Sequence, residues 1–295
     1  MAGPKFTKQM TVAQFDRLFP TDDACKSYLV ARRWPNGVRC PRCGSENLTE
    51  LTKRPFHWQC RQCSPLGYRF SVLVGTIFEN TNIPMRTWFK VIYLMLTSKK
   101  GIAALQVHRM FGFGSYSTAL YMCHRIRAGL AKPEFRKLMG IVEVDETYIG
   151  GKNKNRHWDK RTPGTGGEGK DVVVGAVERK GNIVARVIEH ADTETLNSFI
   201  REAISEKVSL IATDEYPGYS KLKKHGTVRH SAGQYVNGAV HTQTIDGFWS
   251  LLKRGIMGNF HKVSRKYLPL YVAEFEWRYN NRDNADIFGA AIARC

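Results

Sequence analysis

Two cysteine pairs, Cys40-Pro-Arg-Cys43 and Cys60-Arg-Gln-Cys63, restrict what the first part of this chain can fold into more than any other feature. Sixteen residues separate the pairs, and two such knuckles brought together offer four thiolates at the spacing of a zinc ribbon. A segment of about thirty residues buries too little apolar surface to fold alone, so a structural Zn²⁺ would supply its folding free energy. Cys40, Cys43, Cys60 and Cys63 are therefore the candidate zinc ligands. His57 is close enough in sequence to replace one of them, and a redox role for either pair is the remaining alternative. Cys25, Cys123 and Cys295 have no sequence partner and read as buried small residues or free thiols.

The rest of the chain supports a folded core. Of 295 residues, 42% are apolar and 11% aromatic, which excludes a disordered chain. Lys and Arg outnumber Asp and Glu 45 to 26, a formal charge of +19, which favours a polyanionic partner such as nucleic acid. The start MAGPKFTKQM lacks the apolar stretch of a secretory signal, and VIYLML at 91–96 is too short to cross a bilayer. The expected setting is the cytosol, with no membrane partner and with reduced thiols.

Patterning divides the chain into three. Residues 1–80 hold two short helices over 11–33, with Thr11 and Thr21 as N-caps, followed by the cysteine-rich ribbon. Residues 81–138 read as helices, with PMRTWFKVIYLMLT opened by Pro84, and GIAALQVHRM and STALYMCHRIRAGL joined by FGFGS in a helix-turn-helix outline. Arg125 and Arg127 on the last of these are candidate DNA contacts. Residues 139–295 alternate strands and helices, giving an α/β layer domain: IVEVDETYIG, DVVVGAVER and NIVARVIEH, the helix TETLNSFIREAIS, the strand VSLIAT, then further helices. A Gly-rich basic loop over 150–170 interrupts it and places Lys152 and Lys154 as further candidate DNA contacts.

Three aspartates stand out in that last region. Alternation puts Glu143, Asp145 and Thr147 on one face of their strand, opposite Val142 and Val144. Asp214 sits where the strand SLIAT opens into a loop. In HTQTIDGFWSLLKRG, Ile245, Phe248, Trp249 and Leu252 form one apolar helix face, and Asp246 lies on the polar margin with Lys253 two turns along. Clustered carboxylates on a basic, polyanion-binding chain repel the partner unless divalent cations invert the local sign. Mg²⁺ or Mn²⁺ held there would activate an attacking oxygen and stabilise a leaving one at phosphorus. Glu143, Glu146 and Glu215 fit the pattern less well, and His230 and His241 read as core or supporting histidines.

The order of a mid-strand Asp145, a strand-end Asp214 and a helical Asp246, followed by Lys253, resembles the DDE-type transposases built on a ribonuclease-H-like fold. VDETYIGGK, TDEYPGY, HTQTIDGFWSLLKRGI and EFEWRYNNR resemble the bacterial insertion-sequence transposases that carry an N-terminal zinc ribbon, the ISXO-like group, and GTIFENTNIPMRTWF and LTSKKGIAALQ extend the likeness over most of the chain. The resemblance implies that Asp145, Asp214 and Asp246 hold catalytic Mg²⁺ or Mn²⁺, and that Lys253, with Arg254 beside it, contacts DNA. It implies double-stranded DNA as partner, both as the element's terminal repeats and as target, and a homo-oligomer on that DNA. Members of the group more often carry Glu at the position of Asp246, which is one methylene shorter. Three rivals remain: a zinc-ribbon regulator without catalysis, a ribonuclease-H-like nuclease or resolvase that does not join strands, and a transposase impaired at Asp246.

Overall fold

The computed structural model describes residues 10–63, 65–131, 136–151, 157–160, 169–214, 219, 225–227 and 241–295. The chain forms two compact units, Met1–Lys132 with Asp283–Cys295, and Pro133–Arg282.

In the first unit, α1 (Val12–Leu18) and α2 (Asp22–Arg33) begin where the sequence places them. Thr11 and Gln14 cap α1 reciprocally, and the Thr21 hydroxyl accepts from the Ala24 N–H at 3.2 Å. Three short antiparallel strands follow: β1 (Leu48–Glu50), β2 (His57–Cys60) and β3 (Tyr68–Ser71). Trp34, Trp58 and Phe70 pack at their base with ring centroids 5.6–6.2 Å apart. Next come α3 (Met85–Thr97), α4 (Ala104–Phe111) and α5 (Tyr116–Leu130). The first-turn amides of α3 find their acceptor on α2: the Asp22 carboxylate receives the N–H of Met85 and of Arg86 at 3.1 and 3.0 Å. Gly112, at φ +63°, ends α4 in the left-handed conformation, and Ser115 caps α5.

The second unit contains a five-stranded sheet. A meander of β4 (Ile141–Ile149), β5 (Asp171–Glu178) and β6 (Ile183–Ile188) is antiparallel. A crossover through α6 (Thr193–Ala203) brings β7 (Leu210–Thr213) parallel to β4, and β8 (His225–Thr227) pairs parallel with β7. The spatial order is β6-β5-β4-β7-β8. Helices α7 (Gln243–Gly255) and α8 (Leu268–Asn280) complete the unit.

Helices cover both faces, which is why the central strands are apolar almost throughout. Val142, Val144, Val174, Ala176 and Val184 pack with Leu196, Phe199 and Ile200 of α6. The opposite face, with Ile149, Val173, Val177, Ile183 and Ala185, packs with Ile245, Phe248, Trp249 and Leu252 of α7 and with Leu268, Val272 and Phe275 of α8. The free edge of β6 is satisfied from α8: the Asn280 amide pairs with Ile183 N–H and C=O at 2.7 and 2.8 Å, and Glu276 accepts from Ala185 N–H at 3.2 Å.

The compact units do not follow the three segments read from the sequence. The boundary of the α/β part falls at Arg282, because α9 (Ile287–Arg294) belongs to the first unit, where Phe288 packs against Phe15, Phe19 and Phe89 and Asp286 pairs with Arg32. The described residues on both sides of the expected divide at 80, as far as 131, lie in the first unit. No helix is long and apolar enough to cross a membrane, among the described residues.

Candidate active site

Asp145 and Asp214 reach the same level of the sheet through strand register. The parallel ladder between β4 and β7 ends with Glu143 opposite Ala212, and two residues further along come Asp145, still within β4, and Asp214, just past the end of β7. Alternation places Asp145 opposite Val142 and Val144, as expected from the sequence, and the structure shows that its face is the one α7 covers.

Helix α7 is fastened to that side at two points. The fully buried Glu143 accepts hydrogen bonds from Thr244 N–H at 2.7 Å, Ile245 N–H at 3.1 Å and the Thr244 hydroxyl at 2.9 Å. It thereby caps the first turn of α7, which has no cap from its own Thr242. Arg179 Nε donates to the same carboxylate at 2.8 Å, and His241 Nδ1 lies 3.2 Å from it. The second point is the Trp249 indole, whose Nε1–H donates to Asp145 Oδ2 at 2.8 Å. Asp246, one residue after Ile245, is exposed in the first turn of this anchored helix.

Charge crowding is the electrostatic signature of the site. Burial, together with the negative charges of Glu146, Asp214 and Asp246, raises Asp145 from the ordinary 3.8 to about 7, against the opposing hydrogen bond from Trp249. Burial and the charge of Asp214 also hold Glu146 above its ordinary value, while the hydroxyl of the fully buried Tyr219, donating to Glu146 at 2.7 Å, pulls the other way. The charges of Asp214 and Asp246 thus both act on Asp145. The oxygens of these three aspartates are not drawn within the 4.8 Å that unites the four cysteines, the one such cluster among the described residues. All three are hard oxygen donors, the ligand type that suits Mg²⁺ or Mn²⁺.

Cys40, Cys43, Cys60 and Cys63 do converge, with Sγ atoms 3.7 Å apart for Cys40 and Cys63 and 3.6 Å apart for Cys43 and Cys60. Burial works to raise the Cys60 thiol, but the N–H groups of Cys63 and Gln62 and the Cys43 thiol outweigh it and bring Cys60 to about 7. This soft donor set fits a tetrahedral Zn²⁺. His57 is outside it, its Nδ1 lying 3.0 Å from Pro55 O.

The candidate DNA contacts divide. Lys253 and Arg254 are exposed at the end of α7. Arg125 is half-buried, donating to Glu79 O at 3.0 Å with its guanidinium over the rings of Trp88 and Tyr121. Arg127 must be withdrawn: it falls on the same stripe of α5 as Cys123, Ile126 and Leu130 and is 1% exposed, so its guanidinium cannot meet a DNA backbone. Lys152, Lys154, Glu215 and His230 lie outside the described residues.

Sequence reasoning missed the two fasteners. Glu143 acts on a helix about a hundred positions away, for which no local pattern exists. Trp249 read as an apolar contact, although an indole also carries one N–H donor, which here reaches Asp145 on a strand 104 positions away.

A four-cysteine ribbon in one unit and a three-layer α/β unit with coupled carboxylates in the other define a modular zinc-ribbon protein with an acidic site. Residues 20–65 match the transposase zinc-ribbon domain, and residues 137–280 match the ISXO2-like transposase domain. The chain belongs to this family of insertion-sequence transposases. It is 27% identical over 278 residues to the "uncharacterized protein in transposable element ISH50" of Halobacterium salinarum, covering 89% of this chain and 92% of that one. An "uncharacterized transposase-like protein" of Haemophilus influenzae is 29% identical over 106 residues, covering 33% and 80%. A chain from the cryo-EM structure of the simian T-cell lymphotropic virus intasome in complex with PP2A regulatory subunit B56 gamma gives a TM-score of 0.29 at 16% identity, covering 64% and 65%.

Proposed function

We propose that this chain cleaves DNA at the ends of its insertion sequence and joins the freed 3′ hydroxyl to target DNA, using Asp145, Asp214 and Asp246 as the ligands of catalytic Mg²⁺ or Mn²⁺. The observation that carries this reading is that the buried Asp145, in the middle of β4, lies within reach of the charges of Asp214, just past β7, and of Asp246, under a helix fastened by Glu143 and Trp249. The sheet supports it: three antiparallel strands continue into two parallel ones, with the first strand central, which is the arrangement of a ribonuclease-H-like fold.

Divalent cations bound there would neutralise the crowded carboxylates and supply Lewis-acid stabilisation to the attacking and leaving oxygens at phosphorus. The chain's own part is positioning. β4 and β7 fix Asp145 and Asp214 on a rigid sheet, and Glu143 fixes the turn of α7 that bears Asp246. Water attacks first and leaves a 3′ hydroxyl; that hydroxyl then attacks a target phosphorus and displaces a target 3′ oxygen, with no covalent intermediate on the protein. Lys253 and Arg254, exposed on the same helix as Asp246, contact the phosphate backbone. The zinc ribbon serves DNA binding, and a homo-oligomer holds the two element ends.

The test is strand transfer by the purified full chain on DNA carrying the ends that flank its gene, with Mg²⁺ or Mn²⁺. Wild type should give joined products, and Asp145→Asn, Asp214→Asn and Asp246→Asn should each abolish them while retaining DNA binding. Cleavage without joining would move the reading to a nuclease. Binding without either reaction, under both metals, would move it to a regulator.

A further inference from the structure

The Trp249–Asp145 hydrogen bond has a geometry that packing alone does not require. Trp249 is 3% exposed, and its six-membered ring lies against Gly175, the residue opposite Asp145 on β5. A Cβ at Gly175 would sit 2.7 Å from Trp249 Cη2 and 2.9 Å from Cζ2, so only a residue without a side chain leaves room for the indole there. From that seat the indole delivers its single N–H to Oδ2 of Asp145 at 2.8 Å.

We infer that Trp249 is a positioning residue that ties down Oδ2 of Asp145 and so presents the other carboxylate oxygen to the divalent cation, with Gly175 as the seat that makes this possible. The inference rests on the metal-site reading above. An indole suits the task chemically because it donates one hydrogen bond and carries no charge. An Arg or Lys in its place would hold the carboxylate equally well but would compete with the cation electrostatically. Trp249 is also one turn beyond Asp246 on α7, so a single helical turn carries one acid and orients another. Hydrogen-bond partners of ligating carboxylates set metal affinity, and losing one costs about 10- to 100-fold.

The experiment is direct Mn²⁺ binding to the zinc-loaded full chain, by electron paramagnetic resonance of free Mn²⁺, alongside the Mn²⁺ dependence of cleavage. Trp249→Phe removes the donor and keeps an aromatic ring. Gly175→Ala displaces the indole while leaving Trp249 and Asp145 intact. Both should weaken Mn²⁺ binding about 10- to 100-fold and shift the activation curve equally, with activity regained at high Mn²⁺. Val272→Ala, which loosens the same core cluster from α8, should leave Mn²⁺ affinity unchanged and controls for loosened packing. If Asp145→Asn weakens Mn²⁺ binding but Trp249→Phe and Gly175→Ala do not, the positioning role is overturned and the metal site stands. If wild type and Asp145→Asn bind Mn²⁺ alike, the metal-site reading fails and the inference falls with it.

Discussion

Glu143 reaches from the central strand to the main-chain N–H of Thr244, 101 residues later, at 2.7 Å, and so fixes where the helix bearing Asp246 begins. Its carboxylate has no exposure and also receives Arg179, Ile245 N–H and the Thr244 hydroxyl. Removing it leaves a charge and several donors without their acceptor. Glu143→Ala should therefore destabilise the chain by about 3–5 kcal/mol, and Glu143→Gln by less, because an amide keeps one acceptor oxygen. Urea unfolding of the three proteins measures this; equal stability of wild type and Glu143→Ala would contradict the capping role.

The pH dependence of stability should carry the mark of Asp145. Its folded-state value is raised from 3.8 to about 7, so the folded state holds a proton that the unfolded chain releases earlier. This contribution is present below about pH 4 and is lost as pH rises through about 7. In a Mg²⁺-free, zinc-retaining buffer, the wild-type chain should lose stability across that window relative to Asp145→Asn, and added Mg²⁺ should restore it. Parallel pH profiles for the two proteins would show that the crowding is not felt.

Zinc removal should act locally. Without metal the strands β1, β2 and β3 have little besides Trp34, Trp58 and Phe70 to hold them, so chelation should abolish their amide-exchange protection while β4–β6 keep theirs. Cys60→Ser should lower zinc content below one per chain. Retained protection of His57–Cys60 in the metal-free protein would show that the ribbon folds without it.

Much of this was legible in the sequence because it depends on local chemistry. The cysteine spacing, the Thr11 and Thr21 caps, and the alternation that puts Asp145 opposite Val142 and Val144 all come from neighbours within a few residues. What was illegible depends on distant partners. β8 is only three residues long and offers no period to detect. α9 follows the α/β region without a boundary signal, yet its Phe288 belongs with Phe15, Phe19 and Phe89. Arg127 read as a surface cation because charge alone does not say which stripe of α5 is buried.

Close packing behind α7 gives a further expectation. A Cβ at Gly255 would lie 2.2 Å from Phe275 Cζ, where α7 meets α8. Gly255→Ala should cost about 1–3 kcal/mol by forcing that ring aside, measured as a lower urea midpoint, and Phe275→Leu in the same chain should recover part of the loss. An unchanged midpoint in Gly255→Ala would mean that α7 and α8 are not held this closely.

The central claim, that Asp145, Asp214 and Asp246 share one divalent-cation site, is tested most directly by affinity cleavage. Fe²⁺ in place of Mg²⁺, with ascorbate and peroxide, cuts the main chain beside the bound ion, and mass spectrometry locates the cuts. The expected result is three cuts, near 145, 214 and 246, all suppressed together by excess Mg²⁺ and absent in Asp145→Asn. Cuts confined to the cysteine ribbon, or at one aspartate without the other two, would contradict a shared site.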